Sequence, residues 1–272
     1  DVASALDDMI ALWKQRGHQR QDLSGWWARI ADWRAKRSLS YPETGEEIMP
    51  QRAIRALHEA TAARQPIITT EVGQHQMWAA QHFGFEQPNK WLTSGGLGTM
   101  GYGLPAAIGA QLGNPNALVI DIAGEASIQM NIQELATATQ YRLPVKIFIL
   151  NNEYMGMVRQ WQELTYESRY AESYSDSLPD FVKLGEAYGW KGILIDRRDQ
   201  LEDGIQAMLD GIAANGNYMT AGQRSGIEEF GRTLIVVAKA FTLGLSKTAI
   251  VALSPGPTSE TTFTDPHITF DS

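Results

Sequence analysis

Residues 118–161, LVIDIAGEASIQMNIQELATATQYRLPVKIFILNNEYMGMVRQW, limit the fold more than any other stretch of the chain. Leu118 to Ile122 and Val145 to Leu150 are short runs rich in β-branched residues, each closed by a polar turn. The first turn is Ala123-Gly124-Glu125-Ala126-Ser127, the second Asn151-Asn152-Glu153. Between them, Asn131 to Tyr141 carries Ile132, Leu135, Ala136 and Ala138 at helical spacing. Two strands joined by a helix form a βαβ unit, whose strands run parallel. Both turns then lie on one edge of the sheet, and ligands of open α/β sheets bind at that edge. The predicted fold class is α/β, a parallel sheet flanked by helices.

The residue types at that edge suit a diphosphate held through a divalent metal. Glu125 offers a carboxylate, Asn152 an amide oxygen, and the following turn offers backbone carbonyls. Hard oxygen donors of this kind suit Mg²⁺, which joins one or two carboxylates to phosphate oxygens. Gly124 and Ala126 allow close backbone approach, and Ser127 with the free N–H groups of the next helix can meet an anion. An ordinary capped turn explains either segment alone. Two such turns at adjoining strand ends favour a site.

Three further segments carry polar or permissive residues. Pro50 to Ala63 reads as a helix with Ile54, Leu57 and Ala60 on one face. Ile67 to Val72 reads as a buried strand ending in the turn Gly73-Gln74-His75-Gln76-Met77-Trp78, where Gln74 and His75 can donate hydrogen bonds to phosphate oxygens. Thr93 to Ala110, TSGGLGTMGYGLPAAIGA, places five glycines between Gly95 and Gly103 before a helix opening near Leu104-Pro105. Its GxGxxG letters follow no long apolar strand and lack an acidic ribose partner, so this is not a dinucleotide fingerprint. Beyond Asn152, Met157 and Trp161 stand four apart on one helix face, as core pairs do. On spacing alone Arg159 belongs to a solvated face, and Met100 to a core.

The words VGQHQMW, MNIQELATATQYRLPVKIFILNN and GMVRQWQ resemble the catalytic subunit of acetolactate synthases, and the Gly-Glu-Ala turn followed by Asn-Asn resembles the thiamine-diphosphate motif. The resemblance covers roughly residues 20–212 and implies a thiamine-diphosphate-binding fold. It places Val72, Gln74, His75, Gly124, Ala126, Ser127, Gly156 and Met157 around the cofactor. By the same resemblance the backbones of Gly98 and Met100 meet the aminopyrimidine, and the Met100 side chain props the cofactor into a bent shape. Glu125, Asn152 and the Tyr154 carbonyl are the implied metal ligands, and Met157 and Trp161 line the substrate channel. The family has Asp where this chain has Glu125, and in many members Asp where it has Glu71. A longer arm matters to Mg²⁺, whose octahedron tolerates little distortion.

The implied chemistry is decarboxylation of pyruvate and transfer of the two-carbon unit to a second 2-ketoacid, pyruvate or 2-ketobutyrate, in branched-chain amino-acid biosynthesis. Partners implied are a second copy in a homodimer or higher oligomer and a regulatory small subunit. FAD contacts mainly a middle domain in the family. The general-acid Glu comes from a separate pyrimidine-binding domain of the partner subunit, so no catalytic residue is assigned here, and Glu71, Glu134 and Glu153 are not placed in that role. The alternatives are another thiamine-diphosphate-dependent decarboxylase or oxidase, and a catalytically incomplete cofactor-binding or assembly module.

The ends of the chain differ from its middle. Residues 1–48 read as two helices, one with Ala5, Leu6, Met9, Ile10 and Trp13, the other with Leu23, Trp26, Trp27, Ile30 and Trp33. Such stripes pack against a neighbouring domain, and the segment resembles the end of the middle domain and a linker through Tyr41-Pro42-Glu43-Thr44-Gly45. Residues 49–212 form the cofactor-binding domain, with a helix over 181–188, a strand over 190–196 and a helix over 201–209. Residues 213–272 depart from the family, with a strand expected over Leu234 to Val237, a helix over Ala238 to Leu245, and a polar tail from Pro255. A net charge of −8 and a pI near 5.2 argue against a nucleic-acid partner. With no cysteine there is no disulfide and no thiolate metal site. No apolar run approaches the roughly 20 residues of a membrane span, and the Asp-Val start shows no signal pattern. A cytoplasmic protein, processed or truncated at its start, is the expectation.

Overall fold

The computed structural model describes residues 1–17, 21–43 and 45–210, and the backbone of residues 234–239. These fall into two units. Of the described residues, those up to Ser40 form the first and those from Tyr41 onward form the second.

The first unit holds helices α1 (Val2–Gln15) and α2 (Ser24–Ala35). The Asp1 carboxylate caps α1 by accepting from the Ser4 amide at 3.0 Å. Asp22 accepts from Ser24 in the same way at 2.9 Å before α2. Neither helix buries a residue. The predicted stripes are present and exposed, with Trp26 and Trp33 edge to face at 5.6 Å.

Among the described residues the second unit is built on a six-stranded sheet. Its strands are β1 (Ile67–Thr70), β2 (Trp91–Thr93), β3 (Val119–Gly124), β4 (Lys146–Asn151), β5 (Lys191–Ile195) and β6 (Leu234–Lys239). They lie in the order β2-β1-β3-β4-β6-β5, and every pair is parallel. Every residue of β3 is buried, as expected of a parallel strand covered on both faces.

One face carries Ile68, Ile120, Ile122, Phe148 and Leu150. Against it pack Ile54 and Leu57 of α3 (Pro50–Thr61), Trp78 and Ala79 of α4 (Gln74–His82), and Ile205 and Met208 of a helix over Leu201–Asp210. The other face carries Ile67, Val119, Ala123, Ile147 and Ile149. It is covered by α5 (Gly103–Gly113), by Ile128 of α6 (Glu125–Ile128), by Leu135 and Ala138 of α7 (Glu134–Gln140), and by Phe181 of a helix over Phe181–Ala187. The alternation of neighbours along each strand sends successive side chains to opposite cores. Pro50 opens α3 at a position where its missing N–H costs nothing.

Three expectations are corrected. The segment after β1 is not a turn: α4 begins at Gln74, immediately after Gly73. The helix predicted over 131–141 starts late, because Gln129–Asn131 is a 3-10 turn and the α-helix covers only Glu134–Gln140. Ala238 and Lys239 belong to β6 and not to a helix; the rest of that predicted helix and the tail from Pro255 lie outside the described residues, as does Thr44 of the linker. β6 inserts between β4 and β5, pairing Lys146 with Leu234 and Lys191 with the same residue. Among the described residues no helix is long and apolar enough to cross a membrane.

Candidate active site

The strand order reverses direction at β1, which has β2 on one side and β3 on the other. A crevice at the C-terminal ends of such strands is where open α/β sheets take ligands. The register puts Gly124 of β3 beside Leu150 of β4, so the Glu125 and Asn152 turns do adjoin. A cavity of about 260 Å³ opens there.

The cavity gathers the residues singled out from the sequence. Val72, Gln74 and His75 come from the end of β1 and the first turn of α4, and Gly98 and Met100 from the glycine-rich loop. Gly124, Glu125, Ala126 and Ser127 come from the end of β3. Asn152, Tyr154, Gly156, Met157 and Trp161 come from the end of β4 and from helix α8 (Gly156–Leu164). The sequence reading missed Gly73, Trp78, Leu150, Met155 and Val158, which also line it. Trp78 and Leu150 are core residues whose one edge reaches the cavity, and spacing alone carries no signal for that.

His75 is buried and its Nε2 lies 3.5 Å from Ser127 Oγ. Burial pushes its pKa down to about 4, so it stands neutral with one N–H to donate. Ser127 Oγ turns back on Gly124, 3.2 Å from its carbonyl and 3.3 Å from its amide, closing the tight turn. Gln74 sits beneath the start of α8, its side chain 2.7 Å (Cδ) from where a Cβ on Gly156 would stand, and its amide donates to Gln160 at 3.4 Å. The N-termini of α4 and α8 both begin at cavity residues, and their free N–H groups carry partial positive charge.

Glu125 is 2% exposed. Its Oε2 accepts from the Asn152 amide at 3.4 Å, while Oε1 is buried with no hydrogen-bond partner. Burial pushes its pKa up to about 7 against the opposing pull of nearby backbone amides. Asn152 Oδ1 accepts from the Tyr154 amide at 3.3 Å, which folds the turn tightly. Among the described residues no group of three His, Asp or Glu could by itself hold a metal. The donor set is mixed: one orphaned carboxylate oxygen, one side-chain amide oxygen, and backbone carbonyls. That composition fits a cation whose remaining ligands come from phosphate.

Charge makes the same point. Among the described residues no Lys or Arg lines the cavity, and Glu125 is the one acidic lining residue. A diphosphate placed there meets N–H dipoles and a carboxylate but no side-chain cation. Arg159 is turned away: its guanidinium lies 4.1 Å over the Tyr154 ring and pairs with Glu163 at 2.9 Å. It is therefore not on a freely solvated face, as spacing suggested. The turn it supports is also tied by a bridge between Tyr154 and Tyr174. Trp161 stands at the mouth, 61% exposed. The glutamates excluded from a general-acid role are otherwise engaged. Glu71 accepts from backbone amides, Glu134 from Thr137 at 2.6 Å, and Glu153 from Tyr174 at 3.3 Å.

Comparison with known proteins identifies the family. The chain is 47% identical over 207 residues to the acetolactate synthase large subunit of Haemophilus influenzae, covering 76% of this chain and 36% of that protein. It is 46% identical over 217 residues to the acetolactate synthase isozyme 3 large subunit of Escherichia coli, covering 79% and 38%. It is 50% identical over 186 residues to the mitochondrial acetolactate synthase catalytic subunit of Saccharomyces cerevisiae, covering 67% and 27%. The chain thus spans about a third of the length of the curated relatives it matches. Residues 71–218 match the domain described as thiamine pyrophosphate enzyme, C-terminal TPP binding domain. With that match covering the crevice and all its lining residues, the chain belongs to the thiamine pyrophosphate enzymes and carries their C-terminal cofactor-binding domain.

Proposed function

We propose that this chain is the cofactor-anchoring part of an acetolactate synthase and that it binds thiamine diphosphate through Mg²⁺. The observation that carries the metal is the cavity's charge: a buried carboxylate with an orphaned oxygen and, among the described residues, no Lys or Arg in the lining. A diphosphate beside that carboxylate is repelled unless a divalent cation stands between them. The Mg²⁺ ligands are Glu125, Asn152 and the Tyr154 carbonyl. His75, Gln74 and the amides opening α4 and α8 donate to the phosphate oxygens. Gly98 and Met100 meet the ring end, and Met157 with Trp161 forms an apolar approach for substrate.

Bound thiamine diphosphate supplies the electron sink for decarboxylating a 2-ketoacid. The chain's own part is to hold and orient. Neutral His75 brings a donor without a charge. Glu125, near-neutral in its pKa, gives up its proton when a cation binds, so loading releases up to one proton around pH 7. Apolar Val72, Leu150 and Met157 keep water from the anchored end. In this reading the substrates are pyruvate and 2-ketobutyrate, and the whole protein is a dimer or larger assembly that also takes a regulatory small subunit.

Product analysis tests the proposal. The whole natural polypeptide that contains this chain, given pyruvate, thiamine diphosphate and Mg²⁺, is expected to yield acetolactate. Acetaldehyde or acetyl phosphate as the main product would assign it to another decarboxylase or oxidase. Tight assembly without cofactor affinity would assign it to a binding module.

A further inference from the structure

The end of β1 carries a second buried glutamate that the cofactor reading does not use. Glu71 is fully buried. Its Oε2 accepts from the Gly101 amide at 2.6 Å and its Oε1 from the Leu104 amide at 3.0 Å. The amides of Tyr102 and Gly103 add to the same carboxylate. One side chain therefore gathers the free N–H groups of the loop end and first turn of α5, the end of a helix that favours negative charge. On its other side, Gly101 is held by Asn131, whose Nδ2 donates to the Gly101 carbonyl at 2.7 Å. Gly101 has φ 87°, and a Cβ there would stand 2.8 Å from Asn131 Nδ2 and 2.9 Å from Met130 Cβ. Gly101 is thus held at both its N–H and its carbonyl in a left-handed conformation that glycine adopts freely.

We propose that Glu71 and Asn131 are positioning residues, which fix Gly101 between them and so hold the Gly98–Met100 loop in place for the ring end of the cofactor. The proposal rests on the cofactor reading above. It assigns Glu71 the charge in a buried carboxyl pair. Asp121 of β3 lies under Gly103, accepts from Thr69 Oγ1 at 3.0 Å through Oδ1, and has no hydrogen-bond partner at Oδ2. Burial raises the pKa of both carboxyls, and Glu71 raises that of Asp121 further. Backbone amides oppose the rise at Glu71, whereas Asp121 has only the Thr69 hydroxyl. Two adjoining buried carboxyls do not both ionise readily, so the proton rests on Asp121.

The test compares two ligands and adds one readout that needs neither. Wild type, Glu71→Gln, Asn131→Ala and Asp121→Asn are each titrated with thiamine diphosphate and with inorganic pyrophosphate, both with Mg²⁺. Pyrophosphate reports the anchor alone. Glu71→Gln is expected to weaken thiamine diphosphate about tenfold and pyrophosphate less than about twofold. Asn131→Ala, at a half-buried position that tolerates truncation, is expected to do the same about threefold. Asp121→Asn, isosteric and already neutral, is expected to leave both within about twofold. Equal losses for the two ligands in Glu71→Gln and Asn131→Ala would overturn the positioning role. A loss in Asp121→Asn matching that in Glu71→Gln would overturn the assignment of the charge. Amide hydrogen exchange without ligand should quicken about tenfold at Gly101–Leu104 in Glu71→Gln and stay unchanged at Glu125–Ile128. Unchanged exchange at Gly101–Leu104 would also sink the proposal. If exchange changes but wild type binds pyrophosphate and not thiamine diphosphate, the cofactor reading falls while the loop-holding contact stands.

Discussion

Glu71 and Glu125 invite comparison. Each is a buried glutamate just past the end of a parallel strand, β1 and β3, and the two strands pair directly. The resemblance sets an aspartate at the position of Glu125, and in many members of the family at that of Glu71. Their surroundings differ. Both oxygens of Glu71 are taken by backbone N–H groups of the chain itself. Glu125 lines a cavity, with one oxygen on the Asn152 amide and the other buried without a partner. A satisfied buried carboxylate organises backbone, whereas an unsatisfied one is destabilised until something binds it. Residue type and position were the same, so the partners alone separate a structural group from a ligand-seeking one.

The largest effect that would sharpen this contrast is on stability. Glu71→Ala strips the acceptor from a row of buried amides and should cost about 4 kcal/mol in urea unfolding. Glu125→Ala in metal-free buffer should cost far less. Equal losses would break the distinction.

Next in size is a pH term peculiar to Glu125. Its folded pKa of about 7 lies above the ordinary 4.5, so the folded state keeps a proton that the unfolded state has lost between those values. The stability it contributes is full below about pH 4.5 and lost as pH rises through 7, by about 3 kcal/mol in all. Metal-free Glu125→Gln should lack that decline. Parallel stability curves for wild type and variant would contradict the raised pKa.

The same variant should then lose about a hundredfold in metal-dependent cofactor affinity, because an amide cannot supply the charge that a ligating carboxylate does. The smallest effects come from shortening each arm. Glu71→Asp cannot span to both Gly101 and Leu104 and should reduce the preference for thiamine diphosphate over pyrophosphate about threefold. Glu125→Asp still presents a carboxylate to the cavity and should stay within about tenfold of wild type in calorimetry.

Much of this was legible because apolar runs report strands that are buried on both faces. β3 and β4 were read within a residue or two, and their adjacency followed from the βαβ rule. Helix α4 was read as a turn because its buried residues include Gln74, His75 and His82, so the apolar period that marks a helix is missing. Gln74 and His75 line the crevice, and His82 packs edge to face on Tyr41. The late start of the helix at Glu134 has a similar cause, since Asn131 spends its side chain on Gly101 instead of capping. The run at Leu234 read as a strand, but its place between β4 and β5 could not be read, because periodicity carries no information about non-sequential pairing. In the sequence Glu71 shows only as a departure from the aspartate of many members of the resembled family. Its grip on the Gly101 and Leu104 amides is a contact across about thirty residues of chain that no local pattern encodes.

The central claim is that Glu125 is a carboxylate waiting for a cation that brings a diphosphate with it. Calorimetric titration of thiamine diphosphate into this chain, with Mg²⁺ and with a chelator, beside Glu125→Gln, addresses it most directly. The account predicts binding by wild type with Mg²⁺, none with the chelator, and about a hundredfold weaker binding by the variant. Binding that ignores the metal, or that survives Glu125→Gln undiminished, would contradict it.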